Sequence, residues 1–199
     1  MAARPRYLIE EPAGTGDTCP TRRGAMEPHL HRLIGQFHRV SNTDKTAADG
    51  SYVVRVFGDE SSLWPAAMYE YKNSISSSQT EPHLQLALIL CKKWGSNESA
   101  DVIKCSACPT ILLVIPGYQV DVQAMIVVGR PVVQKLINPL ALDRALTEEY
   151  VQEVCWIFKC IRAGIEGLTS YYRRLRKVDQ PSDEAFFPVY TELPISKGL

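Results

Sequence analysis

Hydrophobic and polar positions change period several times along the chain, and each change marks an element. Leu30, Leu33, Ile34 and Phe37 fall at helical spacing, which predicts an amphipathic helix over 27–40, closed by the polar run 41–51. Tyr52-Val53-Val54-Arg55-Val56-Phe57 is dense in β-branched and aromatic residues and reads as a strand. The turn-forming Gly58-Asp59-Glu60-Ser61-Ser62 leads to a second apolar run, Ala66-Ala67-Met68-Tyr69, so the two runs predict a hairpin. After the polar stretch 74–80, Pro82 suits the first turn of a helix that Leu84 to Cys91 carry to about Trp94.

The polar segment 95–108 interrupts the pattern. Thr110 to Ile115 and Tyr118 to Val128 then read as two strands around Pro116-Gly117, the first buried on both faces, and Val132 to Ile137 as a third after Gly129-Arg130-Pro131. From Thr147 to Arg176 a helical stripe through Val154, Phe158, Ile161, Ile165, Leu168 and Tyr172 makes the longest element. Glu148 and Glu149 at its start and Arg173, Arg174, Arg176 and Lys177 at its end suit the helix dipole. Residues 1–26, with Pro5, Pro12, Gly14, Gly16, Pro20 and Gly24, read as an irregular arm, 27–178 as one domain, and 179–199 as a linker or tail. Helix, hairpin, helix, further strands and helix predict an α/β or α+β sandwich around a mixed sheet.

Composition narrows the classes. Twenty-two basic residues balance twenty-two acidic ones, so there is no global positive field, and any nucleic-acid binding has to be local. A hydrophobic content of 45% supports a real core. The six cysteines are scattered, four of them in or beside apolar stretches, which fits a reduced interior. The N-terminus carries no apolar run of signal-peptide length, and no segment reaches the roughly 18 apolar residues that span a bilayer. The expected location is intracellular, cytoplasm or nucleus, with no membrane partner.

The candidate chemistry lies where the second hairpin strand ends. In Glu70-Tyr71-Lys72 the first and third side chains share a face, putting one acid and one amine in one site. The acid can hold a divalent cation, and the amine can orient water or offset charge on a phosphate. A second carboxylate is needed to hold such a cation, and Asp49 and Asp59 are the candidates. Asp49 begins the first hairpin strand, whereas Asp59 lies in the turn, so Asp49 is preferred. The alternative is that Glu70 and Lys72 form an ordinary surface pair and Gln85 an exposed helix residue.

An acid, then Glu-x-Lys, then a glutamine on the next helix resembles the restriction-endonuclease-like superfamily, with Gln85 in the last place. Ala48 stands where that superfamily often has proline, and Ile89 where an aromatic residue often follows the glutamine. Four segments in order carry a narrower resemblance: Tyr69-Glu70-Tyr71-Lys72-Asn73, Glu81-Pro82-His83-Leu84-Gln85, Cys108-Pro109 with Pro116-Gly117, and Val132-Val133-Gln134-Lys135-Leu136. Over about residues 45–178 the chain is similar to the N-terminal region of a fungal family of protein-kinase-like proteins, in which an endonuclease-like domain precedes a kinase-like one.

The resemblance implies a mixed sheet flanked by helices and a metal-dependent nuclease. It makes Asp49 and Glu70 magnesium ligands together with the Tyr71 carbonyl, Lys72 the residue that orients water or offsets phosphate charge, and Gln85 a residue that orients a group of the site. The alternative is a non-catalytic module that binds a partner, or regulates the kinase-like neighbour that the resemblance implies. The chain has no glycine-rich loop with its lysine and no His-Arg-Asp or Asp-Phe-Gly triplet, so kinase chemistry is not expected of it.

Other motifs have plainer readings. Cys105 and Cys108 form half of a zinc set, but no second pair follows at suitable spacing. His29 and His31 flank Leu30 and diverge on a helix. The basic cluster at 173–177 suits phosphate contacts or simply the negative end of its helix.

Overall fold

The helix at Pro82 decides the sheet topology. In the computed structural model, which describes residues 22–42, 44–59, 62–72, 81–143 and 147–179, the chain forms α1 (Arg22–Ile34), β1 (Gly50–Arg55), β2 (Leu63–Lys72), α2 (Pro82–Trp94), α3 (Ala100–Cys105), β3 (Thr110–Pro116), β4 (Gln119–Val127), β5 (Pro131–Lys135), β6 (Leu140–Ala141) and α4 (Glu148–Arg174). β1 and β2 are an antiparallel hairpin, and α2 is the crossover that lets β3 run parallel to β2. β4 and β5 follow as an antiparallel meander, giving the order β1-β2-β3-β4-β5 with β6 paired to β4. The result is a mixed α/β fold, a six-stranded mixed sheet flanked by helices.

Alternation in the strands sorts the core into two layers. Trp64, Ala66 and Met68 of β2, with Leu112, Val114 and Met125, pack against Leu86, Ile89, Leu90 and Trp94 of α2. Ala67, Tyr69 and Tyr71 of β2, with Ile111, Leu113 and Ile115, pack against Leu30 and Ile34 of α1 and Phe158, Ile161 and Ile165 of α4. Covered on both faces, β3 is buried throughout, which explains its unbroken apolar run. Thr147 caps α4 by accepting from the Tyr150 N–H, and Tyr171 and Tyr172 at its far end bond to Ser106 Oγ and the Pro109 carbonyl just before β3.

Several boundaries differ from the expected ones. α1 begins at Arg22 rather than Glu27, inside the stretch read as an arm, and stops at Ile34 rather than Val40 because Gly35 adopts φ +109°. Beyond it, His38 bridges to Ser51 on the outer side of β1. β2 reaches back to Leu63 through Pro65, which falls where the β1 register shifts between Tyr52 and Val53, a place where a strand tolerates proline. The polar segment before β3 holds α3, where Val102 is buried against the core. Residues 1–21 and 180–199, the bulk of the expected arm and tail, lie outside the described residues. No helix among the described residues is long and apolar enough to cross a membrane.

One glycine is fixed by packing beside the candidate site. Gly50 pairs with Tyr69 across the hairpin, and a Cβ there would overlap the Tyr69 ring. That ring also meets Phe37 edge-on and donates its hydroxyl to Glu27, so it has little room to withdraw. Gly50→Ala is expected to destabilise the fold by about 2 kcal/mol through overpacking, measured by urea unfolding.

Candidate functional site

β2 ends at the open side of the β1 edge, and the four residues singled out from the sequence meet there. Glu70 and Lys72 stand on the α2 face of β2, with Tyr71 between them facing the opposite layer. Lys72 Nζ lies 2.9 Å from Glu70 Oε1. Gln85, in the first turns of α2, donates from Nε2 to the same oxygen at 2.6 Å. The backbone N–H of Asp49 reaches the other oxygen, Oε2, at 3.3 Å. Asp49 in turn accepts the Tyr71 N–H on its Oδ2 at 2.8 Å, beyond the last β1–β2 pair at Gly50 and Tyr69. Its carboxylate thus takes the place of a further strand residue, at the edge on which the Tyr71 carbonyl also emerges.

Glu70 is the buried centre of the cluster at 3% exposure, whereas Lys72 keeps 23%. Burial pushes the Glu70 carboxyl above its ordinary range; the hydrogen bond from Lys72 pulls it back, and the negative charge of Asp49 raises it again. A buried acid beside a second carboxylate and a half-exposed amine can accept a cation and stabilise an anion at neighbouring points. Asp59, the rejected alternative, is exposed in the turn after β1, where its N–H bonds the Val56 carbonyl.

Both carboxylates offer the hard oxygens that magnesium or manganese takes. Among the described residues no group of three or more His, Cys, Asp and Glu side chains converges. The donor set still fits such an ion, because magnesium is commonly held by one or two carboxylates, with water and substrate oxygens completing its shell.

The remaining motifs do not join this site. Cys105 Sγ donates to the Asp101 and Val102 carbonyls and Cys108 Sγ to that of Ser106, and burial pushes the Cys108 thiol up to about 12. Burial of this kind favours the protonated thiol. His31 approaches Glu27 at 3.9 Å within α1. Of the basic cluster, Lys177 binds Asp101 at 3.2 Å and lies 5.4 Å over the Phe57 ring, tying the chain after α4 to α3. Arg173 instead lines, with Arg55, Thr169 and Tyr52, a cavity of about 440 Å³ between β1 and α4.

The sequence reading missed a second polar group on the same sheet face: His83 of α2, Asp121 and Gln123 of β4, and Lys135 of β5. Its signal was Gln119, Asp121 and Gln123, polar at alternate positions of the strand expected over 118–128. Among known proteins the chain matches no family model, no curated protein and no solved structure.

Proposed function

We propose that this domain is a metal-dependent nuclease of restriction-endonuclease-like architecture, hydrolysing phosphodiester bonds of nucleic acid at the end of β2. The observation that carries the reading is the convergence of Asp49, Glu70, Lys72 and Gln85 from three separate elements on one buried carboxylate. The order of hairpin, helix and parallel strand, with Glu-x-Lys at the end of the hairpin and the glutamine on the helix, supports it.

Asp49 and Glu70 would hold the divalent ion, together with the Tyr71 carbonyl, and the ion would supply Lewis-acid stabilisation of the phosphate in hydrolysis. Lys72 offsets the charge that grows on the non-bridging oxygens as a water oxygen bonds to phosphorus, giving up a proton to solvent, and the bridging oxygen leaves and takes up a proton from solvent. Gln85 keeps Glu70 turned toward Asp49.

The test is cleavage of labelled single- and double-stranded DNA and RNA with magnesium or manganese. Wild type is expected to cut at least one substrate, and Asp49→Asn or EDTA to stop it. A folded wild type that cuts none assigns the chain to a non-catalytic binding or regulatory module. That reading is favoured by one observation, the engagement of both Glu70 oxygens by protein donors.

A further inference from the structure

The second polar group lies in register with the first. Val114 of β3 pairs with Glu70 of β2 on one side and Asp121 of β4 on the other, and Leu112 pairs with Gln123. Glu70, Val114 and Asp121 therefore form a row across the sheet, on the face that α2 covers. The first turns of α2 are tied to both ends of this row. Gln85 holds Glu70, and His83 reaches the opposite way, its Nδ1 2.7 Å from Gln123 Nε2 and its Nε2 3.3 Å from Asp121 Oδ2.

Burial and charge show what this second tie is suited to do. The Asp121 side chain is 8% exposed, and its other oxygen has no hydrogen bond, only a long ion pair with Lys135 Nζ at 3.5 Å. With the Gln123 amide donating to Nδ1, the ring proton sits on Nε2, facing Asp121. Both ring nitrogens are thus spent inside the protein, and His83 has none to offer a substrate. A buried acid behind a histidine that holds a helix turn is the arrangement by which outer residues orient inner ones.

We infer that His83, held by Gln123 and Asp121, is a positioning residue for the Glu70 site: the three fix the first turns of α2 so that Gln85 Nε2 stays on Glu70 Oε1. The inference rests on the nuclease reading for its kinetic readout alone. The test compares wild type with His83→Ala, His83→Gln and Gln123→Ala. Exchange of the Gln85 side-chain amide protons is followed by NMR, and kcat and KM are measured on whichever substrate the wild type cuts.

His83→Ala and Gln123→Ala are expected to speed Gln85 exchange about tenfold or more and to lower kcat about tenfold with little change in KM. His83→Gln, whose amide offers one donor and one acceptor, restores both. Unchanged Gln85 exchange in folded His83→Ala and Gln123→Ala overturns the inference, even if kcat falls. If the wild type cuts nothing, the nuclease reading fails, and the Gln85 exchange alone decides the positioning role.

Discussion

Lys72→Ala is expected to lower kcat for metal-dependent cleavage by about 10²–10³-fold, the loss typical when one stabiliser of transition-state charge is removed. KM should change little, because in the proposed reaction the charge that Lys72 meets develops only as the phosphorus is attacked. The same substitution has a separate signature in stability. Lys72 is the cation next to a carboxylate of 3% exposure, and without it Glu70 keeps only the Gln85 amide and the Asp49 N–H. Losing a partner of a buried charge costs about 1–2 kcal/mol at alkaline pH. That deficit should shrink as pH falls and Glu70 takes up its proton, since a neutral carboxyl needs no cation. Kinetics and urea unfolding across pH separate the two effects. A folded Lys72→Ala that cuts as fast as wild type sinks the catalytic role, whatever its stability.

The site was legible where it depended on local periods. Glu70 and Lys72 share a face because strands alternate, and that follows from three letters of sequence. Gln85 falls near the start of α2 because Pro82 marks the first turn. Choosing Asp49 over Asp59 needed only the difference between a strand start and a turn. What was not legible depended on register between strands far apart in the chain. Nothing local says that Asp121 lies opposite Val114, or that Val114 lies opposite Glu70; both follow from the parallel pairing of β2 with β3 and the tight turn into β4. The end of α1 was misjudged for a different reason: Phe37 continues the helical spacing, but Gly35 turns the chain, and Phe37 still reaches the core from beyond the helix.

The parallel pair also explains why the polar cluster sits at this end of the sheet. β2 and β3 finish side by side, with Lys72 opposite Pro116 and its carbonyl taken by the Gly117 N–H. α2 begins at this same end, its first turns beside the ends of both strands. Side chains from a strand end, a helix start and the residue before β1 then converge without any of the three elements breaking its own hydrogen bonding. Apolar layers on both faces of the sheet pack these elements together, and polar residues at the centre of the cluster are therefore expected to be replaceable while the sheet remains.

Glu70→Gln tests this independence. It is expected to abolish metal-dependent cleavage and yet raise stability at alkaline pH. Burial, opposed by Lys72 and reinforced by Asp49, holds the folded carboxyl above its ordinary value. Between the ordinary value and the raised one, the native protein keeps a proton that the unfolded chain has already released. The stability Glu70 contributes is therefore complete below its ordinary value and is lost as pH rises through the folded one. Glutamine has no such titration; it keeps an oxygen for the Gln85 amide and gives up only the long 3.3 Å bond from the Asp49 N–H. The variant should match wild type in acid and gain on it through that window, read as a higher Tm at alkaline pH. On the proposed reading, a carboxylate that weakens the fold is kept for its chemistry. If Glu70→Gln is instead less stable than wild type at alkaline pH, the ionised carboxylate is a net support of the fold, and the cluster around it is structural.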